Sequence, residues 1–189
     1  LFNVNSGGRV TLDGVLRHNN YGSNIITLDA GAQVQGSGRV IIHPSEPGYF
    51  RSSATIHPGN PAGTLSLTGR WDEVNLNYSG THSGNLRVEL GGRQPGEYDR
   101  LSVFNSGNVK PFTFGGTCEV VRANGFLPKW GDVFKIVEWS KLTPAGAFKA
   151  VNLPPLRAPC EWVTNDLYTT GEIRVGGPEP QKGAVLMIH

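Results

Sequence analysis

The chain has 189 residues, with 17 basic and 15 acidic side chains, a formal net charge of +2 and no long run of like charges. The clustered basic stripe typical of nucleic-acid binding is missing, so we expect no nucleic-acid partner. No apolar stretch approaches the length of about 18 residues that a transmembrane helix needs, so we expect no membrane span.

The composition favours strands and tight turns over helices. The 26 glycines and 13 prolines disfavour long helices, because glycine destabilises a helix interior and proline breaks it. Valine, leucine and isoleucine remain frequent enough to build a core, which argues against disorder. The composition therefore predicts an ordered all-β protein.

Short apolar segments with a two-residue alternation recur along the first half, each closed by Gly, Pro or Asn. Candidate strands cover residues 1–4, 9–12, 25–28, 39–42, 55–56, 64–67, 74–78 and 86–90. Strands this short cannot bury their apolar side chains alone and must stack on near-copies of themselves. The pattern predicts a right-handed parallel β-helix, a solenoid, over residues 1–95.

The second half differs from the first in its aromatic content and in the length of its candidate strands. Aromatic residues become denser after residue 95, and segments such as residues 117–122 are typical of longer, heavily packed strands. An aromatic core suits the end of a solenoid, where the last coil would otherwise expose an unpaired edge. We predict an aromatic-rich capping β region over residues 96–176. Residues 177–189 are interpreted as a linker or the start of a further segment.

The two cysteines, Cys118 and Cys160, lie outside any CxxC motif and have no histidine cluster near them in sequence. An even cysteine count in a β protein of secreted character predicts one disulfide between them. The alternative is two separate buried thiols, because free cysteine packs well as a small apolar residue.

The acidic residues and histidines offer weak catalytic signals. Asp99, in the segment GEYDRL, is expected to accept backbone N–H bonds at a turn, and a catalytic role is the alternative. Asp13 and Asp29 would form an acid pair only if they lie on one face at a defined separation. The five histidines, His18, His43, His57, His82 and His189, show no metal-ligand spacing. We therefore expect no catalytic residue, no metal, no cofactor and no enzyme activity.

Three residues suggest contact with glycans. Trp71, Tyr78 and His82 could form a sugar-stacking patch, and corner packing of amphipathic side chains is the alternative. Asn77 begins the sequence Asn-Tyr-Ser, which is an acceptor for N-glycosylation in a secreted protein.

Seven segments in order carry a resemblance to a known family: GSGRV (36–40), ATIHPGNPAGTLSLTG (54–69), LRVELGG (86–92), GEYDRLSV (96–103), ANGFLPKWGDVFKIVE (123–138), GAFKAVNLPPL (146–156), and the segment from Trp162 to Tyr168 followed by GEIRV (171–175). Their order resembles the C-terminal region of bacterial surface and autotransporter-like β-helix passenger proteins of the adhesin type. That resemblance covers about three quarters of the chain. It implies a right-handed β-helix and no catalytic residues.

The resemblance and the pattern together predict a non-enzymatic, extracellular structural or adhesive module, a fragment of a longer cell-surface or filament-forming protein. Expected partners are other copies, other surface proteins and glycans. The alternatives are a glycan-binding or polysaccharide-processing β-helix domain and a viral or phage fibre segment, because one fold serves many functions.

Overall fold

The computed structural model describes residues 2–18, 24–42, 48–59, 61–69, 78–104, 111–140 and 144–179, and every regular element within these ranges is a strand. No helix in these ranges is long and apolar enough to cross a membrane. The predicted all-β class is confirmed. In chain order the strands are β1 (Phe2–Val4), β2 (Arg9–Thr11), β3 (Val15–His18), β4 (Asn24–Leu28), β5 (Gln33–Gly36), β6 (Arg39–Ile42), β7 (Gly48–Ser52), β8 (Thr55–Pro58), β9 (Thr64–Gly69), β10 (Tyr78–His82), β11 (Asn85–Leu90), β12 (Arg100–Phe104), β13 (Phe112–Phe114), β14 (Thr117–Arg122), β15 (Val133–Lys135), β16 (Val137–Ser140), β17 (Pro144–Gly146), β18 (Ala150–Asn152), β19 (Glu161–Val163) and β20 (Glu172–Gly176).

Three sheets contain only parallel strand pairs. Sheet 1 has the order β1-β4-β7-β10-β13-β17, sheet 2 has β2-β5-β8-β11-β14-β18, and sheet 3 has β3-β6-β9-β12-β16. Three consecutive strands, one in each sheet, make up what we call a repeat, so β7-β8-β9 is the third repeat and β10-β11-β12 is the fourth. The predicted parallel pairing of the short strands is confirmed.

The corners between sheets 1 and 2 also stack from repeat to repeat. A Cβ atom at Gly84 would lie 2.0 Å from the Ala54 carbonyl oxygen, and one at Gly116 would lie 2.0 Å from the Gly84 carbonyl oxygen. Such distances leave no space for a side chain, so only glycine lets consecutive corners approach this closely.

Strand alternation sends one set of side chains into a shared interior. In β11 the exposed fraction alternates strictly, and Leu86, Val88 and Leu90 are all 0% exposed. Ile56 in β8, in the third repeat, and Leu101 in β12, in the same repeat as β11, are equally buried. Each such side chain contributes about 1.5–3 kcal/mol through removal from water, so the interior is the main source of stability.

The interior changes from aliphatic to aromatic along the stack. In sheet 1, Gly80 pairs with Phe50 on one side and with Phe112 on the other, and the two rings stack with centroids 6.0 Å apart. The next aromatic residue, Phe114, contacts Trp139 and Phe148 with centroid distances of 5.0 and 4.9 Å. The aromatic density of the second half is therefore buried within and beside the sheets.

A fourth sheet, β15-β20-β19, is small and antiparallel. It packs aromatic residues of its own, since Phe134 contacts Tyr98, Phe126 and Trp162. Parallel pairing does not change at the predicted boundary near residue 95, because β11 pairs with β14 and β14 pairs with β18. The division into domains stays a prediction.

Gly80→Ala tests the packing between repeats. The added methyl group would lie 2.2 Å from Phe112 Cδ2, so the ring pair must shift, and we expect a loss of about 1–3 kcal/mol in the free energy of unfolding. Gly14→Ala is the matched control, because a Cβ there meets nothing within 4 Å. Urea titrations that rank the two variants equally would contradict the described packing.

Candidate functional site: the outer face of sheet 2

The outward side chains of sheet 2 are polar where the inward ones are apolar. They line a surface cavity of about 310 Å³, bounded by Gln33, Gln35, Thr55, His57, Asn85, Arg87 and Glu119 together with Val34. The cavity exists because the same alternation that buries one side of β5, β8, β11 and β14 presents the other side to solvent.

A charged network runs across this face. Arg87 contacts Glu119 Oε2 through Nη1 at 3.3 Å and Glu89 Oε1 through Nη2 at 3.4 Å. Asn85 Nδ2 donates to the same oxygen of Glu119 at 3.5 Å, while the buried Oδ1 of Asn85 has no hydrogen-bond partner within the described part of the chain. The network joins the fourth repeat to β14.

At the end of this face lie His57, Glu89 and Asp99. The Nε2 atom of His57 is 3.2 Å from Asp99 Oδ2 and 3.6 Å from Glu89 Oε1. His57 and Glu89 are partly exposed, at 20% and 26%, whereas Asp99 is 0% exposed. We call these three residues the His57 cluster.

Asp99 owes its position to a tight turn. After β11, the chain reverses so that Leu90 and Tyr98 form an antiparallel bridge and the Asp99 N–H donates to the Glu89 carbonyl oxygen. The carboxylate then accepts the Glu89 N–H at 2.8 Å and the Gly63 N–H at 3.2 Å. Asp99 thus accepts backbone N–H bonds as predicted, but one donor, Gly63, lies in the preceding repeat.

Burial raises the pKa of Asp99 above its ordinary value of 3.8, and the contacts with His57 and the two N–H groups oppose that effect. Gly59, in the corner segment PGNPAG, leaves room for the Asp99 carboxylate because it has no side chain. A Cβ at this position would lie 2.3 Å from Asp99 Oδ1. Gly59 also has a φ of +85°, which other residues rarely adopt. The carboxylate therefore connects two repeats from inside the protein.

A second, larger concavity lies near the antiparallel sheet. It has a volume of about 910 Å³ and combines apolar residues, including Leu127 and Leu156, with Arg122, Lys129 and Arg157. Trp130 lines it with 43% of its surface exposed, and its indole Nε1 donates to the Gly177 carbonyl oxygen at 3.1 Å. We call it the Trp130 groove.

The predicted disulfide is wrong: Cys118 and Cys160 are both free thiols. Cys118 points into the interior from β14 and is 0% exposed, whereas Cys160 is half-buried and lines the Trp130 groove. Burial raises the pKa of the Cys118 thiol to about 12, with Glu119 adding to the effect, so this thiol is unreactive at neutral pH. The alternative of two separate buried thiols holds for Cys118, whereas Cys160 is separate but only half-buried.

Of the three residues of the predicted glycan patch, only the His82 side chain is described, and it is buried. His82 is 0% exposed, and its Nδ1 lies 3.1 Å from Ser52 Oγ, so it cannot stack against a sugar. Trp71 and Asn77 lie outside the described residues, and of Tyr78 only the backbone is described.

The two aspartates considered as an acid pair, Asp13 and Asp29, make no contact with each other in the described ranges. Asp13 Oδ1 instead accepts the Ser37 N–H at 3.3 Å.

Sequence reasoning missed the His57 cluster. His57 lacks a second histidine at metal-ligand spacing, and Glu89 is one outward residue of an ordinary alternating strand. The signal that pointed toward the cluster was the polar Asp99 between two apolar segments, next to a turn.

Comparison with protein-family models, curated proteins and solved structures finds no match for this chain. The resemblance to autotransporter-like passenger proteins therefore stays a prediction.

Asp99→Ala should destabilise the protein by about 1–3 kcal/mol, because it leaves the partly buried Gly63 and Glu89 N–H groups without their acceptor. Asp13→Ala is the matched control: Asp13 is exposed and accepts one N–H, so its loss should cost under about 1 kcal/mol. Equal unfolding free energies for the two variants would contradict the role of Asp99.

Burial lowers the pKa of His82 from 6.5 to about 4, which predicts a pH dependence of stability. Below pH 6.5 the His82 imidazole binds a proton in the unfolded chain, whereas in the folded protein it stays neutral until about pH 4. The free energy of unfolding therefore falls as the pH is lowered. The loss approaches about 3 kcal/mol at pH 4. In His82→Gln this part of the pH dependence should vanish. Urea titrations that give the variant the same change in the free energy of unfolding between pH 6.5 and 4 as the unmodified chain would contradict the prediction.

Proposed function

We propose that the chain is a non-enzymatic structural or adhesive module of a longer extracellular protein, and that its three parallel sheets wind into a right-handed parallel β-helix. The observation that carries the proposal is the strand order, because each of the four repeats from β1 to β12 adds one strand to each of the three sheets. A chain that visits three sheets in turn advances along one axis, as a solenoid does. Parallel crossover connections are almost always right-handed.

The antiparallel sheet acts in this proposal as the cap of one end. A solenoid must cover its last coil to avoid edge-to-edge aggregation. Support comes from the contact of Val137, in β16, with the segment before β20: the Val137 N–H donates to the Gly171 carbonyl oxygen at 3.1 Å. Phe148, between β17 and β18, also contacts Tyr168, between β19 and β20.

The absence of enzyme activity is part of the proposal. The buried carboxylate of Asp99 is occupied by two backbone donors, an arrangement that suits a structural role better than proton transfer to a substrate. The Arg87 guanidinium is likewise paired within the protein, with Glu89 and Glu119.

Two measurements test the proposal. Surface biotinylation of intact cells that produce the full-length protein should label it, because an adhesive or structural module acts outside the cell. Incubation of the purified chain with a panel of polysaccharides should give no products. Turnover that is lost in Asp99→Asn or Glu89→Gln with retained fold would overturn the non-enzymatic assignment, and labelling only after lysis would overturn the location.

A glycan-binding function is the second candidate, and the Trp130 groove favours it. An exposed indole face beside arginine and lysine side chains can stack on a sugar ring and bind its hydroxyl groups. Trp130→Ala should abolish signals on a glycan array, whereas Leu127→Ala, a change at an exposed residue of the same groove, should retain them. Identical arrays for the two variants and the unmodified chain would rule out stacking on Trp130.

A further inference from the structure

The His57 cluster brings three metal-ligating atoms together from separate parts of the chain. His57 Nε2, one oxygen of Glu89 and one of Asp99 all lie within 4.8 Å of one another. Each residue comes from a different element: His57 from β8, Glu89 from β11, and Asp99 from the turn before β12. Their convergence is a product of the stacking of the third and fourth repeats.

The spacing of these atoms suits a small divalent ion. Zinc binds imidazole nitrogen and carboxylate oxygen at about 2.0–2.2 Å in tetrahedral sites, so neighbouring ligand atoms lie about 3.3–3.6 Å apart. The two distances from His57 Nε2, 3.2 Å to Asp99 Oδ2 and 3.6 Å to Glu89 Oε1, are close to this range. Only small adjustments would place an ion between the three atoms.

The imidazole nitrogen carries a second, independent observation. His57 Nε2 is buried and has no well-aligned hydrogen-bond partner in the described part of the chain, although two carboxylate oxygens lie nearby. A buried imidazole nitrogen beside two carboxylate oxygens can serve as a metal ligand in the tautomer that leaves it deprotonated.

The surroundings support the carboxylates without occupying all of their lone pairs. Asp99 is fixed by the Gly63 and Glu89 N–H groups, in the manner of outer-shell contacts that orient a ligand. Arg87 shares its charge between Glu89 and Glu119, so the cluster and its neighbours retain net negative charge when His57 is neutral. A cation would also offset the free-energy cost of burying the charged Asp99 carboxylate.

We propose that His57, Glu89 and Asp99 bind one zinc ion and that this ion links the third and fourth repeats. The mixed nitrogen and oxygen donors favour a transition metal over calcium or magnesium, which prefer oxygen ligands alone. The partial exposure of His57 and Glu89 leaves solvent access for a water molecule as fourth ligand. The proposal is independent of the proposed function.

The test is competition for Zn²⁺ between the purified, metal-stripped chain and a chromogenic chelator near pH 7.5. The unmodified chain should take up one equivalent. His57→Gln and Glu89→Gln should bind at least about tenfold more weakly, since each lacks a ligand. Glu119→Gln is the matched control, because it changes a carboxylate of the same face outside the cluster, and it should bind like the unmodified chain.

A stability readout separates the cluster from adventitious zinc sites at other histidines. Zn²⁺ should raise the melting temperature of the unmodified chain and of Glu119→Gln but not of His57→Gln, because binding to the native state stabilises it. The proposal is overturned if His57→Gln and Glu89→Gln bind zinc as the unmodified chain does, if no saturable binding is seen, or if Mg²⁺ and Ca²⁺ raise the melting temperature as much as Zn²⁺. Zinc-free circular dichroism of each variant confirms that it is folded.

Discussion

Parallel pairing between successive repeats is the constraint on which the rest of the structure depends. Strands of three to six residues gain little from contacts within one repeat, so their backbone N–H and C=O groups must find partners in the repeats on either side. This pairing also aligns inward side chains into a continuous interior. Glycine corners and the ring pair across Gly80 are consequences of the short distance between paired strands.

The same constraint places the charged groups. Because outward positions of sheet 2 stack in register, polar residues from different repeats become neighbours and form the Arg87 network. Asp99 adds a buried connection, since its carboxylate holds a backbone N–H from each of two repeats. His57 completes an arrangement that serves stability in the absence of an ion and, by our inference, binds zinc.

Much of the fold follows from local patterns, and the site does not. Residues 39–42 and 117–122 form strands as predicted, because their alternating β-branched and apolar residues leave little choice. Strand β5 was missed because its four residues include one large apolar side chain, Val34. Its other buried position, Gly36, is small because the Leu12 carbonyl oxygen would lie 2.4 Å from a Cβ there. The His57 cluster depends on connection lengths between repeats, which strand patterns do not specify.

Interstrand nuclear Overhauser effects would show whether successive repeats pair in parallel. We expect cross-peaks between backbone protons around the partners Leu65 and Leu101 in sheet 3, and around Leu86 and Cys118 in sheet 2, each continuing in parallel register along the strands. Cross-peaks that run in the opposite direction along either pair, or that join β8 to β9 in a hairpin, would contradict the stacked parallel arrangement.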